Sequence, residues 1–198
     1  MTTAPVAVVV LCTGNICRSP LAEVLLRDRL AGLPVVVSSG GTRAVVGEPM
    51  APTIAASVSA RGLDPSHDAA QVTGEQLAAA DLVLGLAREH RRAAIELRPR
   101  VVRRAMTLLE LVRVVEQHGA GLASEARGAA PDVEGRLREA VRLAVAERGS
   151  TLPPASPELD DVPDPWGRDE RAYAAAVTQI VHAVDVVAHW LRESAGTR

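Results

Sequence analysis

The chain has 198 residues, is 47% hydrophobic and 23% charged, and carries a formal net charge of -2. That composition fits one globular domain with a real core. It excludes a disordered tail, a collagen-like rod and a strongly basic nucleic-acid binder, which would need a positive excess to neutralise phosphates. All 22 basic residues are Arg, Phe is absent, and there are 2 Trp and 1 Tyr, so the core must be built from Ala, Val and Leu. The 2 cysteines, Cys12 and Cys17, are too few for a secreted disulfide framework or a structural zinc site. Residues Met1 to Pro5 carry no basic charge, and the apolar run Val6–Cys12 is too short to span a bilayer. The expectation is a cytoplasmic protein of a reducing compartment, with no cofactor, no metal, no membrane and no nucleic-acid partner.

Val6 to Leu11 is a continuous apolar, largely β-branched run, the mark of a strand buried on both faces. A turn from Cys12 to Arg18 follows, and then a helical pattern in which Ser19 is the expected N-cap, Pro20 the first helical residue and Glu23 part of the first turn. Val35–Val37 predicts a second strand, ended by Ser38-Ser39-Gly40-Gly41, and Ala51–Arg61 a helix closed by Gly62. Asp81–Leu86 predicts a third strand, Arg88–Leu97 a helix stopping before Pro99, Val101-Val102 a short fourth strand, and Thr107–Gln117 another helix. Asp132–Arg148 is helical by the four-residue recurrence of Val133, Leu137, Val141 and Val145. Thr151–Pro163 holds 4 prolines in 13 residues and predicts an extended loop. Val177, Ile180, Val181, Val184, Val187, Ala188 and Leu191 trace one face of a last helix. Strands alternating with helices predict an α/β fold, a three-layer sandwich with a central four-stranded parallel sheet flanked by helices.

The chemistry concentrates in Cys12-Thr13-Gly14-Asn15-Ile16-Cys17-Arg18-Ser19. Between a buried strand and a helix, such a loop can curl so that its backbone N–H groups face one centre and bind an oxyanion, with the helix N-terminus adding partial positive charge. Arg18 would close the ring with a planar fork matched to phosphate oxygens. Cys12 would point its sulfur at the phosphorus, in a field that favours thiolate over thiol. Gly14 and Asn15 suit left-handed turn conformations. The bland reading, a plain strand-to-helix turn holding two small buried cysteines, leaves this combination unexplained.

The run Val10 to Pro20 resembles the signature of the low-molecular-weight protein tyrosine phosphatase family. Asp160-Asp161-Val162-Pro163-Asp164-Pro165-Trp166-Gly167 resembles that family's second motif, an Asp-Pro dipeptide carrying the catalytic acid. The resemblance implies that Cys12 attacks phosphorus, that Asp164 protonates the leaving oxygen and then serves as base, and that Arg18 and the amides from Thr13 through Ser19 hold the phosphoryl oxygens. It also implies that Ser19 donates to the Cys12 sulfur. Val37–Thr42 resembles the family's Ser-Ala-Gly-Thr segment, with Gly40 in place of Ala, and His67–Gln71 its His-centred segment. From these, Asn15, Ser39 and His67 are expected to form a polar network holding the loop open, while Ile16 and Trp166 wall the pocket. The implied substrate is a phosphotyrosine protein or aryl phosphate. An arginine phosphatase is the first alternative; the sub-branch that cleaves phosphoarginine has Thr at the position of Ile16. A thiol-dependent arsenate reductase is the second, and no Cys follows Cys17 to relay oxidation. A phosphoprotein-binding module would be expected to lack Cys12, Arg18 or Asp164.

Cys17 has two readings, a small buried loop residue or a redox partner of Cys12. His90, His118, His182 and His189 read as surface or helix-packing residues. The Arg-rich stretch from Arg88 to Arg104 reads as a solvated helix face, or more sharply as a docking patch for an acidic partner. Leu86–His90 departs from the family pattern, which places the local surface in question but not the catalysis. The resemblance covers Val6 to about Leu111 and Asp160 onward. Residues 1–198 are thus expected to form a single phosphatase-like domain with an extra helical and loop insertion at about 118–157. Its role is open between capping the sheet, extending the substrate surface and mediating dimerisation.

Overall fold

The computed structural model describes residues 4–196. Four parallel strands, β1 (Val6–Cys12), β2 (Val35–Gly41), β3 (Leu82–Gly85) and β4 (Ala105–Thr107), lie in the order β2-β1-β3-β4. Among the described residues, seven α-helices surround them: α1 (Arg18–Arg29), α2 (Pro52–Ser59), α3 (Gly74–Ala79), α4 (Arg88–Leu97), α5 (Leu108–Ala129), α6 (Val133–Glu147) and α7 (Glu170–Ala195). Side chains alternate across a strand, and the two faces of β1 accordingly build two cores. Val6, Val8, Val10 and Cys12 join the larger core, with Leu21 and Leu25 of α1, Leu111 of α5, Leu137 of α6 and Ile180 of α7. Val9 and Leu11 join the smaller one, with Leu77 of α3, Ala94 of α4 and Val101. A strand covered on both faces has no polar side to show, which explains the unbroken apolar run.

β1 is followed by a crossover to β2 on one side, and β2 by a crossover to β3 on the other. The strand order therefore reverses next to β1, and the crevice at the carboxyl ends of β1 and β3 is where α/β sheets of this type bind ligands. The loop from Cys12 to Arg18 sits there.

Several expectations are corrected. The fourth strand is Ala105–Thr107; Val101-Val102 lies in a 3-10 turn, Pro99–Arg103, where Pro99 sets the helical φ and Val101 fills the smaller core. α3 was not foreseen; it starts on Thr73, whose side chain accepts the Gln76 N–H. α5 does not stop at Gln117 but runs through the Gly/Ala-rich stretch to Ala129, from a capping box of Thr107 and Glu110. Gly119 there serves packing: a Cβ would lie 3.3 Å from Trp190 of α7 and 3.0 Å from Val115. Trp190 is 1% exposed, so the close approach of α5 and α7 offsets the roughly 1 kcal/mol that a mid-helix glycine costs.

α6 was read as part of an insertion. It packs on α5 and α7, and its Arg138 reaches Asp81 and the carbonyls of Ala4 and Pro5 at the amino end of the sheet. Among the described residues, α7 alone is long and apolar enough to cross a membrane, and half of its apolar stretch is buried inside the protein.

Gly41, the last residue of β2, pins the loop that follows β1. A Cβ on it would fall 2.6 Å from the Thr13 carbonyl oxygen and 2.8 Å from the Ala44 Cα, both backbone atoms. Gly41→Ala is expected to cost about 2 kcal/mol or more and to lower the calorimetric Tm by roughly 5 °C; an unchanged Tm would contradict the contact.

Candidate active site

Six consecutive carbonyls of the loop are taken by donors outside it. Those of Cys12, Thr13, Gly14 and Ile16 accept the N–H groups of Thr42, Arg43, Val45 and Ala51 at 2.8–3.0 Å. That of Asn15 meets His67 Nε2 at 2.6 Å, and that of Cys17 accepts the Leu21 N–H of α1. A trans peptide is planar, so each carbonyl turned outward turns the next N–H the opposite way. The N–H groups of residues 13–18 are thereby directed to the hollow side of the loop, and that of Asn15 points at Cys12 Sγ from 3.3 Å.

Like α2 and α4, which begin on Ala51 and Ala87, α1 begins on a residue that gives no side-chain cap, Cys17. Its positive end is left facing the same hollow. Three sequence expectations change here. Ser19 is not the N-cap but the second helical residue, Pro20 is the third rather than the first, and the Ser19 hydroxyl donates to Cys12 Sγ at 3.0 Å. Glu23 lies beyond the first turn, where it accepts from the Ser39 hydroxyl at 2.5 Å.

Asn15 is the hub. It is fully buried, and at φ +58° it is the one non-glycine among the described residues with positive φ. Gly14, expected to share that conformation, does not adopt it. The Asn15 amide donates to Ser19 and Ser39 at 2.9 and 2.8 Å and accepts the Ala70 N–H at 2.8 Å. These bonds offset the strain of a left-handed residue.

The second motif arrives from the far end of the chain. Asp164 lies 2.6 Å from Arg18 Nη2, and Arg18 Nη1 donates to the Val162 carbonyl at 3.1 Å. The segment is clamped on both sides. Arg88, at the start of α4, grips Asp161 through its guanidinium and its own N–H, at 2.7–3.2 Å. Arg113 of α5 donates from Nη2 to both Asp160 carboxylate oxygens at 3.0 and 3.1 Å, and the Val162 N–H donates to the Leu86 carbonyl at 2.8 Å. The Arg-rich stretch is therefore not simply a solvated face; Arg104 likewise ties down the Leu77 and Ala78 carbonyls that end α3. Leu86–His90, read as local surface, supplies one of these clamps.

A cavity of about 210 Å3 opens over the loop. Cys12, Thr13, Gly14, Ile16, Cys17 and Arg18 line it from below, and Asp164 and Trp166 from one side. Arg43 and Val45, from the segment after β2, complete the rim and were not anticipated. The sequence offered no signal for them beyond their closeness to Gly41. Asn15, Ser19, Ser39 and His67 stand behind the loop rather than in the cavity.

His90 also escaped the sequence reading. It is 1% exposed, and its Nε2 lies 3.0 Å from the Thr13 hydroxyl and 3.3 Å from Glu89. A donor on Nε2 facing two oxygens fits one neutral tautomer. Burial, followed by the Arg18 charge, lowers its pKa to about 3, against a smaller opposing effect of Asp161. The contact with Glu89 is therefore not an ion pair. Topology would have pointed to this residue, since it lies in the first turn after the strand beside β1. His182 and His189 are at the surface, and His118 is partly buried. Both cysteines are free and buried. Burial, with the charges of Cys12 and Asp164, pushes the Cys17 thiol up to about 12, although it hydrogen-bonds Tyr173.

Residues 7–131 match the family model described as low molecular weight phosphotyrosine protein phosphatase. A probable low molecular weight protein-tyrosine-phosphatase, EpsP of Ralstonia solanacearum, is 44% identical over 78 residues, 39% of this chain and 52% of that protein. The phosphatase Etp of Escherichia coli K12 is 38% identical over 104 residues, 52% of this chain and 68% of that protein. The chain thus spans about half the length of the first of these relatives. The solved arginine phosphatase YwlE of Geobacillus stearothermophilus superposes with a TM-score of 0.67 at 23% identity, over 95% of this chain and 94% of its own; that likeness speaks to the fold.

A buried histidine kept neutral couples stability to pH. Because its folded pKa, about 3, lies below the ordinary 6.5, its contribution is fully present above pH 6.5 and is lost as pH falls toward 3. Urea unfolding of wild type and His90→Gln between pH 7.5 and 4.5 should show a steeper acid-side loss in wild type, by up to about 1.4 kcal/mol per pH unit. Parallel curves would refute the assignment.

Proposed function

Because the chain belongs to the low molecular weight phosphotyrosine protein phosphatase family, we propose that it hydrolyses phosphotyrosine and other aryl phosphate monoesters through a phosphocysteine on Cys12. The observation that carries this reading is the Cys12 sulfur set beneath a hollow of inward amides, with Arg18 and Asp164 in contact at its edge. In the first step the Cys12 thiolate forms an S–P bond as the P–O bond to the leaving group breaks, and Asp164 gives that oxygen its proton. The amides of residues 13–18 and the Arg18 fork hold the phosphoryl oxygens throughout. In the second step Asp164, now ionised, takes a proton from water as it attacks phosphorus, and the sulfur leaves as thiolate, stabilised by the Ser19 hydroxyl. Asn15, Ser39 and His67 fix the loop that makes this possible.

Ile16 and Trp166 suit the flat faces of a phenyl ring. The arginine phosphatase alternative draws on the fold it shares with YwlE, and Ile16 speaks against it. An arsenate reductase would need an outside thiol, since Cys17 is the last cysteine. A cytoplasmic setting fits, because a reducing compartment keeps the nucleophile free. A Cys12–Cys17 disulfide would switch it off reversibly, but a thiol held at about pKa 12 is a slow partner for that exchange. The chain acts as one domain on this reading; the family match runs to residue 131, so the added part is about 132–157, made of α6 and the proline-rich lead-in to Asp164.

Cys12→Ser should abolish turnover of aryl phosphates without unfolding the protein, and Asp164→Ala should slow poor leaving groups by about 10²-fold or more while sparing good ones; equal slowing across leaving groups would remove Asp164 as the proton donor. Phosphotyrosine and phosphoarginine peptides assayed in parallel should favour phosphotyrosine, and Ile16→Thr should shift the ratio toward phosphoarginine. An unmoved ratio would mean that Ile16 does not set specificity.

A further inference from the structure

A second cavity, of about 430 Å3, opens beside the first. The two share Ile16, Val45 and Trp166, and beyond them the second is walled by Pro49, Met50 and Pro52. Val45 and Trp166 stay exposed at 47% and 61%, although each is a large apolar residue at the rim of a concave surface. The groove is preformed. The Ala51 N–H donates to the Ile16 carbonyl at 2.8 Å, Glu48 N–H to Val45 at 3.0 Å, Gly47 N–H to Ala69 at 2.8 Å and Ala69 N–H to Glu48 at 2.9 Å. Its two prolines bring no N–H group that a ligand would have to satisfy. Glu48, at its margin, is the one charged residue lining it.

Building on the phosphatase reading, we propose that this groove is a substrate subsite that receives an apolar side chain flanking the phosphorylated residue of a polypeptide. Continuity decides the occupant. A phosphoryl group held on Arg18 makes its carrier leave the first cavity across the rim of Ile16, Val45 and Trp166, which is also the entrance of the second. An extended polypeptide advances about 3.3 Å per residue, so a near neighbour of the phosphorylated residue arrives at that entrance. There the walls reward burial of a Leu-, Ile- or Met-sized side chain, and with Glu48 as the one charged lining residue they give an acidic side chain no partner.

The test compares phosphotyrosine peptides that differ only in Leu or Ser at each flanking position, with p-nitrophenyl phosphate as the reference substrate. Wild type should prefer Leu about tenfold in kcat/KM at one or more positions, equivalent to about 1.4 kcal/mol. Pro52→Glu puts an acid at the first position of α2, where the helix dipole tolerates it. This variant and Pro49→Glu should bring the ratio close to one while retaining turnover of p-nitrophenyl phosphate. A wild-type ratio near one at every position, or a preference that survives both substitutions, would overturn the subsite while leaving the phosphatase reading intact. Failure of wild type to hydrolyse p-nitrophenyl phosphate would instead overturn that reading. Should neither variant fold, the wild-type ratio alone decides.

Discussion

The site depends on the outward turn of six carbonyls between Cys12 and Cys17. A backbone that curls this tightly would be costly if its own acceptors filled the hollow. Here Thr42, Arg43, Val45, Ala51, Leu21 and His67 draw them away, so peptide planarity alone arms the interior with donors. The hollow of the loop is thus lined with donors because of what surrounds it. Asn15 stabilises the one residue that must be left-handed and links the loop to Ser19, Ser39 and Ala70.

Asp164 is likewise placed by its surroundings. Asp164 is half exposed and has few contacts of its own, yet its neighbours Asp160 and Asp161 are held by Arg113 and Arg88. An ion pair at the surface contributes little stability. Two arginine clamps on adjacent residues, the Arg88 fork and the Arg113 Nη2 donor, added to the Val162–Leu86 backbone bond, act instead as geometry: they set where the segment passes over Arg18. Catalytic power in such a site comes from donors fixed before the substrate arrives.

The arginines and glycines show why sequence reading stops where it does. Arg88 reads as a helix-surface charge and Arg113 carries no signal at all, because nothing local distinguishes an Arg facing water from one facing a carboxylate more than 40 residues away. His90 looked like any helical histidine until β3 was seen to lie beside β1. Gly119 falls just past the expected end of its helix at Gln117, because propensity is local while the need for space beside Trp190 is not.

The sequence by itself determined the alternation of strand and helix, the doubly buried β1, and the nucleophile and arginine candidates; the acid candidate rests on the resemblance of the Asp-Pro pair to the family's motif. The former signals are periodic or contiguous: a β-branched run and a Cys-to-Arg spacing. Tertiary structure alone decided that Asp164 meets Arg18, that Arg43 and Val45 rim the cavity, and that a second apolar groove joins it. Those facts depend on which strand ends are neighbours and on how far the β2–α2 connection leans over the loop. Such relations arise from packing between distant segments, and no window along the chain contains both partners.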